Sequence, residues 1–220
     1  MRSLSKLLLA LGVAVLLAGP TFAQFRPGNP AKFLLESKEL QKELSLTEDQ
    51  VKKAVTAADD AFKKHEDDFK DIDFTSAEGR EKMTAANRVV SAETKKALAD
   101  VFDAKQMKRY NQIALQSTMR FMGPGIYADA DIQKDLKLND EQKDKIKTLT
   151  ADLAKERDQL FKEAVGDREK FQEVRKKMEG LNKETSDKIT KLLTTDQKKA
   201  FEELKGEEFK FPMGRRGPPQ

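Results

Sequence analysis

Gln41-Lys-Glu-Leu-Ser-Leu-Thr-Glu-Asp-Gln50 returns 92 residues later as Gln133-Lys-Asp-Leu-Lys-Leu-Asn-Asp-Glu-Gln142. A second pair follows at nearly the same offset. Phe102-Asp-Ala-Lys-Gln106, with Tyr110 and Ile113, aligns with Leu193-Thr-Thr-Asp-Gln197, Phe201 and Leu204. Two matches at one period mark an internal duplication. The chain therefore reads as two copies of one unit, 32–121 and 122–206, meeting at Met122-Gly-Pro-Gly125.

All four boxes have the form apolar, then Thr, Asn or Asp, two further residues, and Gln. This is a helix start. Thr47, Asp103, Asn139 and Thr194 are N-cap residues whose side chains can accept from the N3 amide. Gln50, Gln106, Gln142 and Gln197 stand at N3 and can reach back to the N-cap amide, closing a capping box. Leu46, Phe102, Leu138 and Leu193 precede the caps, where a hydrophobic staple is possible; only Val51 supplies the apolar N4 partner. Glu48, Asp49, Asp140, Glu141 and Asp196 suit the positive end of the helix dipole.

Downstream of the boxes the apolar residues step by three and four, the helical spacing. Val51, Val55, Ala58, Phe62, His65 and Phe69 do so in the first copy, and Ile146, Leu149, Leu153 and Leu160 in the second. Phe171, Val174, Met178, Leu181, Thr185 and Leu192 continue the pattern. Each unit is expected to hold a short helix, a long helix from its first box, a return helix (about 77–100 and 167–191) and a helix from its second box. Turns are expected at 73–76 and 166–167, and no strand is expected. The expected fold class is all-α, two tandem helical-hairpin units.

Composition narrows the chemistry. Charged residues make up 36% of the 220 residues; there is no Cys, no Trp and a single His. Disulfides, thiol nucleophiles and Cys-based zinc sites are thereby excluded. His65 lies among Glu66, Asp67, Asp68, Asp71 and Asp73 but has no partner at i+4, so it reads as a helix-face histidine rather than a metal ligand. No phosphate-binding glycine loop or nucleophile elbow is present. The chain is expected to be non-enzymatic, without cofactor or metal.

Residues 1–23 read as a signal peptide. Arg2 and Lys6 precede an apolar run of 13 residues, and Thr21 and Ala23 occupy the −3 and −1 cleavage places. The run is too short to span a membrane. Export to the periplasm or beyond is expected, with no membrane insertion after cleavage. Removal of Arg2 and Lys6 lowers the formal charge from +4 to +2. Both halves are then nearly neutral, with no basic block for nucleic acid. Residues 24–31 and 207–220 are expected to be a disordered linker and a disordered basic, proline-containing tail.

One segment, Lys105 to Met122, is richer in Met, aromatic residues and Arg than its surroundings. Flexible apolar side chains beside Arg suit an adaptable binding surface. Met119, Phe121 and Met122, with Arg109 and Arg120, are the candidate client-binding residues.

With four such boxes, the chain resembles the LTXXQ-motif proteins, the Spy/CpxP family of bacterial periplasmic chaperones and stress adaptors. Leu46-Thr-Glu-Asp-Gln50 and Leu193-Thr-Thr-Asp-Gln197 match the motif fully; Leu138-Asn-Asp-Glu-Gln142 departs at one position and Phe102-Asp-Ala-Lys-Gln106 at two. It is most similar to exported bacterial proteins carrying two such units in tandem. The resemblance implies a curved helical hairpin that pairs into a cradle whose concave face binds unfolded polypeptides without ATP; for two tandem units it implies an elongated or curved bundle, a pseudo-dimer in one chain. Its implied function is an ATP-independent periplasmic chaperone or envelope-stress adaptor, the alternative being a structural, envelope-associated helical protein with one dedicated protein partner.

Overall fold

The computed structural model describes residues 29–73, 76–164 and 167–211. The expected signal peptide, most of the linker, the centres of both hairpin turns and the last nine residues lie outside that set. The described residues are all-helical. In chain order they form α1 (Pro30–Glu36), α2 (Lys38–Glu43), α3 (Glu48–Lys64), a 3-10 turn (Glu66–Phe69), α4 (Ala77–Leu98) and α5 (Ala104–Met122). A second 3-10 segment (Gly123–Ala128) leads to α6 (Ala130–Asp135), α7 (Asp140–Ala164), α8 (Arg168–Leu192) and α9 (Thr195–Lys205).

Local hydrogen bonds recur at the offset of the sequence repeat. Ser37 caps α2 and Asp129 caps α6. Gln41 Nε2 donates to the Leu35 carbonyl at 2.9 Å, and Gln133 Nε2 to that of Tyr127 at 3.1 Å. Both short helices end in a left-handed residue, Ser45 and Lys137, each at φ 51°. That turn lets the Leu46 and Leu138 amides return to the Gln41 and Gln133 carbonyls, satisfying acceptors the helix end leaves open.

The segment that follows residues 46–50 differs from the one that follows residues 138–142. Its helical spacing runs through Phe69, yet α3 stops at Lys64, whereas α7 continues to Ala164. Glu66-Asp67-Asp68 explains the break. Three carboxylates at the C-terminal, negative end of a helix are unfavourable, but at the start of a new turn they are favourable. The chain pivots at His65 (φ −114°, ψ 16°) and restarts as a 3-10 turn, which brings the Phe69 ring 5.0 Å from that of Phe62.

Two main cores result. Leu35, Leu40, Ala54, Leu98, Tyr110 and Ile113 belong to the first; Ile126, Leu136, Ile146, Ile189 and Phe201 belong to the second. A small third cluster of Ala61, Phe69, Ala86 and Val90 closes the far end of the α3–α4 hairpin. Helix α5 serves both main cores. Tyr110 and Ile113 enter the first, while Leu115 and Met119 pack on the second. At 100° per residue, Ile113 and Leu115 point in nearly opposite directions, so one helix can face two cores.

Both expected tails are partly ordered. Asn29 is buried; its side chain accepts from the Ala31 and Lys32 amides and donates to the Ala58 carbonyl at 2.7 Å. Pro30 follows at the first helical position, where its missing N–H costs nothing. Residues 29–31 therefore start α1 rather than belong to a linker. At the other end Phe209 is buried in the first core and Phe211 packs beside it. The expected boundary at 206/207 is corrected, because two apolar rings within three residues find a core to enter.

Candidate functional site

In all four boxes the N-cap oxygen accepts from the N3 amide and the N3 glutamine accepts from the N-cap amide. Each glutamine also has an amide nitrogen, and the fold uses it. Gln50 Nε2 donates to Gln106 Oε1 at 2.8 Å, and Gln106 Nε2 lies 3.4 Å from Gln50 Oε1. Gln142 and Gln197 make the same reciprocal pair at 2.8 and 3.0 Å. Remaining donor capacity goes to main-chain carbonyls just ahead of the opposite box: Gln50 to Val101, Gln106 to Leu44, and Gln142 to Leu192. Each pair thus fastens two helix starts to each other and to the chain segments preceding them. A glutamine can do this because its amide both donates and accepts; a glutamate only accepts when ionised.

The candidate binding residues do not form one patch. Phe121 is 85% exposed and Met122 38% exposed at the end of α5. Met119 packs instead on the second core. The Arg120 guanidinium lies 4.7 Å from the Phe211 ring centre. Arg109 is largely enclosed, its guanidinium bound to Glu43 at 2.7 Å and to the Glu207 carbonyl at 2.8 Å. Other exposed rings stand elsewhere: Phe33 on α1, and Phe161 and Phe171, whose centres are 5.8 Å apart near the far end of the α7–α8 hairpin.

Sequence reading missed the polar stripe on α5. Arg109, Gln112, Gln116 and Arg120 recur at steps of three and four, and all touch the segment that ends α9 and follows it. Gln112 donates to the Glu203 carbonyl at 3.1 Å, and Gln116 to those of Lys205 and Glu207 at 2.7 Å each. The Phe209 amide donates back to Gln116 Oε1 at 2.8 Å. The carbonyls of Glu203 and Lys205 are among those a helix end leaves without partners. The helical spacing of these polar residues, between two apolar faces, was the available signal.

A cleft of about 1340 Å³ lies alongside this stripe, walled by Glu43, Asp103, Lys105, Lys108, Glu203 and Glu207 among others. Its charged side chains are of mixed sign, and Leu44, Ala200 and Leu204 add apolar wall. A smaller cleft of about 530 Å³ between α7 and α8 exposes Leu149 and Leu192 between lysines. His65 Nδ1 lies 3.1 Å from Asp68 and Nε2 3.1 Å from Glu93, which also pairs with Lys64 at 2.8 Å. Glu93 first, and Asp68 second, hold the imidazole above its ordinary value. Burial pushes the Tyr110 phenol up. Among the described residues no group of three or more His, Cys, Asp or Glu is placed to hold a metal ion. No helix among them is long and apolar enough to cross a membrane.

No family model, curated protein or solved structure matches the chain.

Proposed function

We propose that this is an exported, non-enzymatic helical protein that binds other polypeptides: an ATP-independent periplasmic chaperone or envelope-stress adaptor of the LTXXQ, Spy/CpxP-like kind. In this reading the two units form a covalent pseudo-dimer, each with two boxes clamped by a glutamine pair. The observation that carries it is the apolar end of α5. Phe121 is 85% exposed and Met122 follows it, at the end of the helix that both cores share. An exposed Phe beside a flexible Met gives weak contacts that adapt to clients of different shape, so release needs no nucleotide. Residues 1–23 carry the export expectation.

The test is suppression of aggregation of a reduced or heat-denatured client by residues 24–220 without nucleotide. Protection is expected, and Phe121→Ser/Met122→Ser is expected to weaken it at unchanged helix content. Full aggregation at several-fold molar excess rejects the chaperone reading. A second reading, a structural envelope protein with one dedicated partner, is favoured by the larger cleft, whose charged walls suit a defined partner better than a hydrophobic client.

A further inference from the structure

The α5 stripe handles its own chain as a peptide receptor handles a ligand. Residues 207–211 leave α9, run without helix across the first unit, and place Phe209 in its core. Recognition is directed at main chain. Arg109 and Gln116 both donate to the Glu207 carbonyl, Gln116 Oε1 accepts the Phe209 amide, and Gln116 itself is only 8% exposed. Side-chain selection falls on alternate residues: Phe209 is buried, the ring of Phe211 meets it edge to face at 4.9 Å under Arg120, and Lys210 between them is exposed. Bonds to backbone plus two alternating apolar positions are how an extended peptide is read without demanding one sequence.

The segment is joined to α9 by a single hinge. Gly206 has φ 64° and ψ −164°, a region essentially reserved for glycine, and a Cβ there would run into the Gln112 amide. We propose that this groove on α5 is a binding site for extended Phe-x-Phe segments of other polypeptides, and that residues 207–211 are its intramolecular occupant, which such a segment displaces. The proposal rests on the polypeptide-binding role above in taking a polypeptide as ligand, but it places the ligand at Gln116 rather than at Phe121. A tethered occupant acts at an effective concentration in the millimolar range, so it lowers the groove's apparent affinity by the fraction of time it stays bound.

The experiment titrates a fluorescein-labelled peptide with the sequence of residues 205–211 into residues 24–220, and into the Phe209→Ala and Gly206→Ala variants. Either variant, with helix content checked by circular dichroism, is expected to bind the peptide about tenfold more tightly than the unchanged chain. Replacing both phenylalanines of the peptide by alanine, or adding Gln116→Leu to the opened variant, is expected to remove that gain. Should Phe209→Ala fail to fold, Gly206→Ala, which keeps both rings, decides. Equal affinity for opened and unchanged chains, or equal binding of the alanine peptide, overturns the proposal. The outcome is separable from the aggregation test. Tighter peptide binding without client protection keeps the groove and sinks the chaperone reading; protection without tighter binding does the reverse.

Discussion

A glutamine at the third position of a helix ordinarily has one task, accepting from the N-cap amide, and a glutamate does it equally well. Here Gln142 has more to do, since it is only 8% exposed and its amide nitrogen also serves Gln197 and the Leu192 carbonyl. Gln142→Glu removes both donors and sets a carboxylate against the Gln197 oxygen. We expect it to cost about 2 kcal/mol or more, because the Leu192 carbonyl loses its donor and two side-chain oxygens are left facing each other, although the helix dipole favours the acid. Thr194→Ala is expected to cost only about 1 kcal/mol, as loss of an N-cap does. Urea melts of the two variants check the order; a stabilised Gln142→Glu protein would show that the pair contributes nothing beyond the cap.

Helices α3 and α7 differ in length where their charge differs. α3 ends at Lys64 before three carboxylates, and the pivot residue His65 bridges Asp68 of the new turn and Glu93 of α4, with Lys64 against the same Glu93. The imidazole is held above its ordinary value of 6.5, by Glu93 first and Asp68 second. A raised value means that protonated His65 stabilises the folded chain. That contribution is fully present below about 6.5 and is lost as pH rises through the folded value. The melting temperature of the unchanged chain minus that of His65→Gln is therefore expected to be larger near pH 5.5 than near pH 8.5. A difference independent of pH would mean that the contacts act without charge. The break was not legible in apolar spacing, which continues through Phe69; it was legible in Glu66-Asp67-Asp68 read against the helix dipole.

At the scale of the whole molecule, one shared helix makes two cores depend on each other. Tyr110 and Ile113 bind α5 to the first, Leu115 and Met119 to the second, and Phe209 returns from the second unit to the first. Arg80 of α4 pairs with Asp158 of α7 at 2.6 Å, and Arg88 with Asp131 of α6 at 3.1 Å. We expect a single cooperative unfolding transition. The chain's two tyrosines, Tyr110 in one core and Tyr127 in the other, report it separately in single-Tyr→Phe variants. Ile113→Ala and Ile189→Ala, both at fully buried positions, are each expected to cost about 2–5 kcal/mol and to move both reporters together. Tyrosine signals with different midpoints would show that the units unfold independently.

What the amino-acid order determined by itself is local. Thr47, Asp103, Asn139 and Thr194 with their glutamines specify four helix starts within four residues each, because a cap is a contact between near neighbours that no distant packing need complete. The 92-residue echo and the three–four spacing likewise carry the all-helical class. The tertiary structure alone decided what the same glutamines do next. Gln50 meets Gln106 across 56 residues and Gln142 meets Gln197 across 55, and Gln116 meets Phe209 across 93. It also decided that Arg109 and Met119 turn inward while Phe121 turns out. Such choices depend on where neighbouring helices come to rest. An amide with spare donors, or a ring at the end of a chain, is satisfied by whichever carbonyl or core packing brings within reach, and nothing in its near neighbours names that partner.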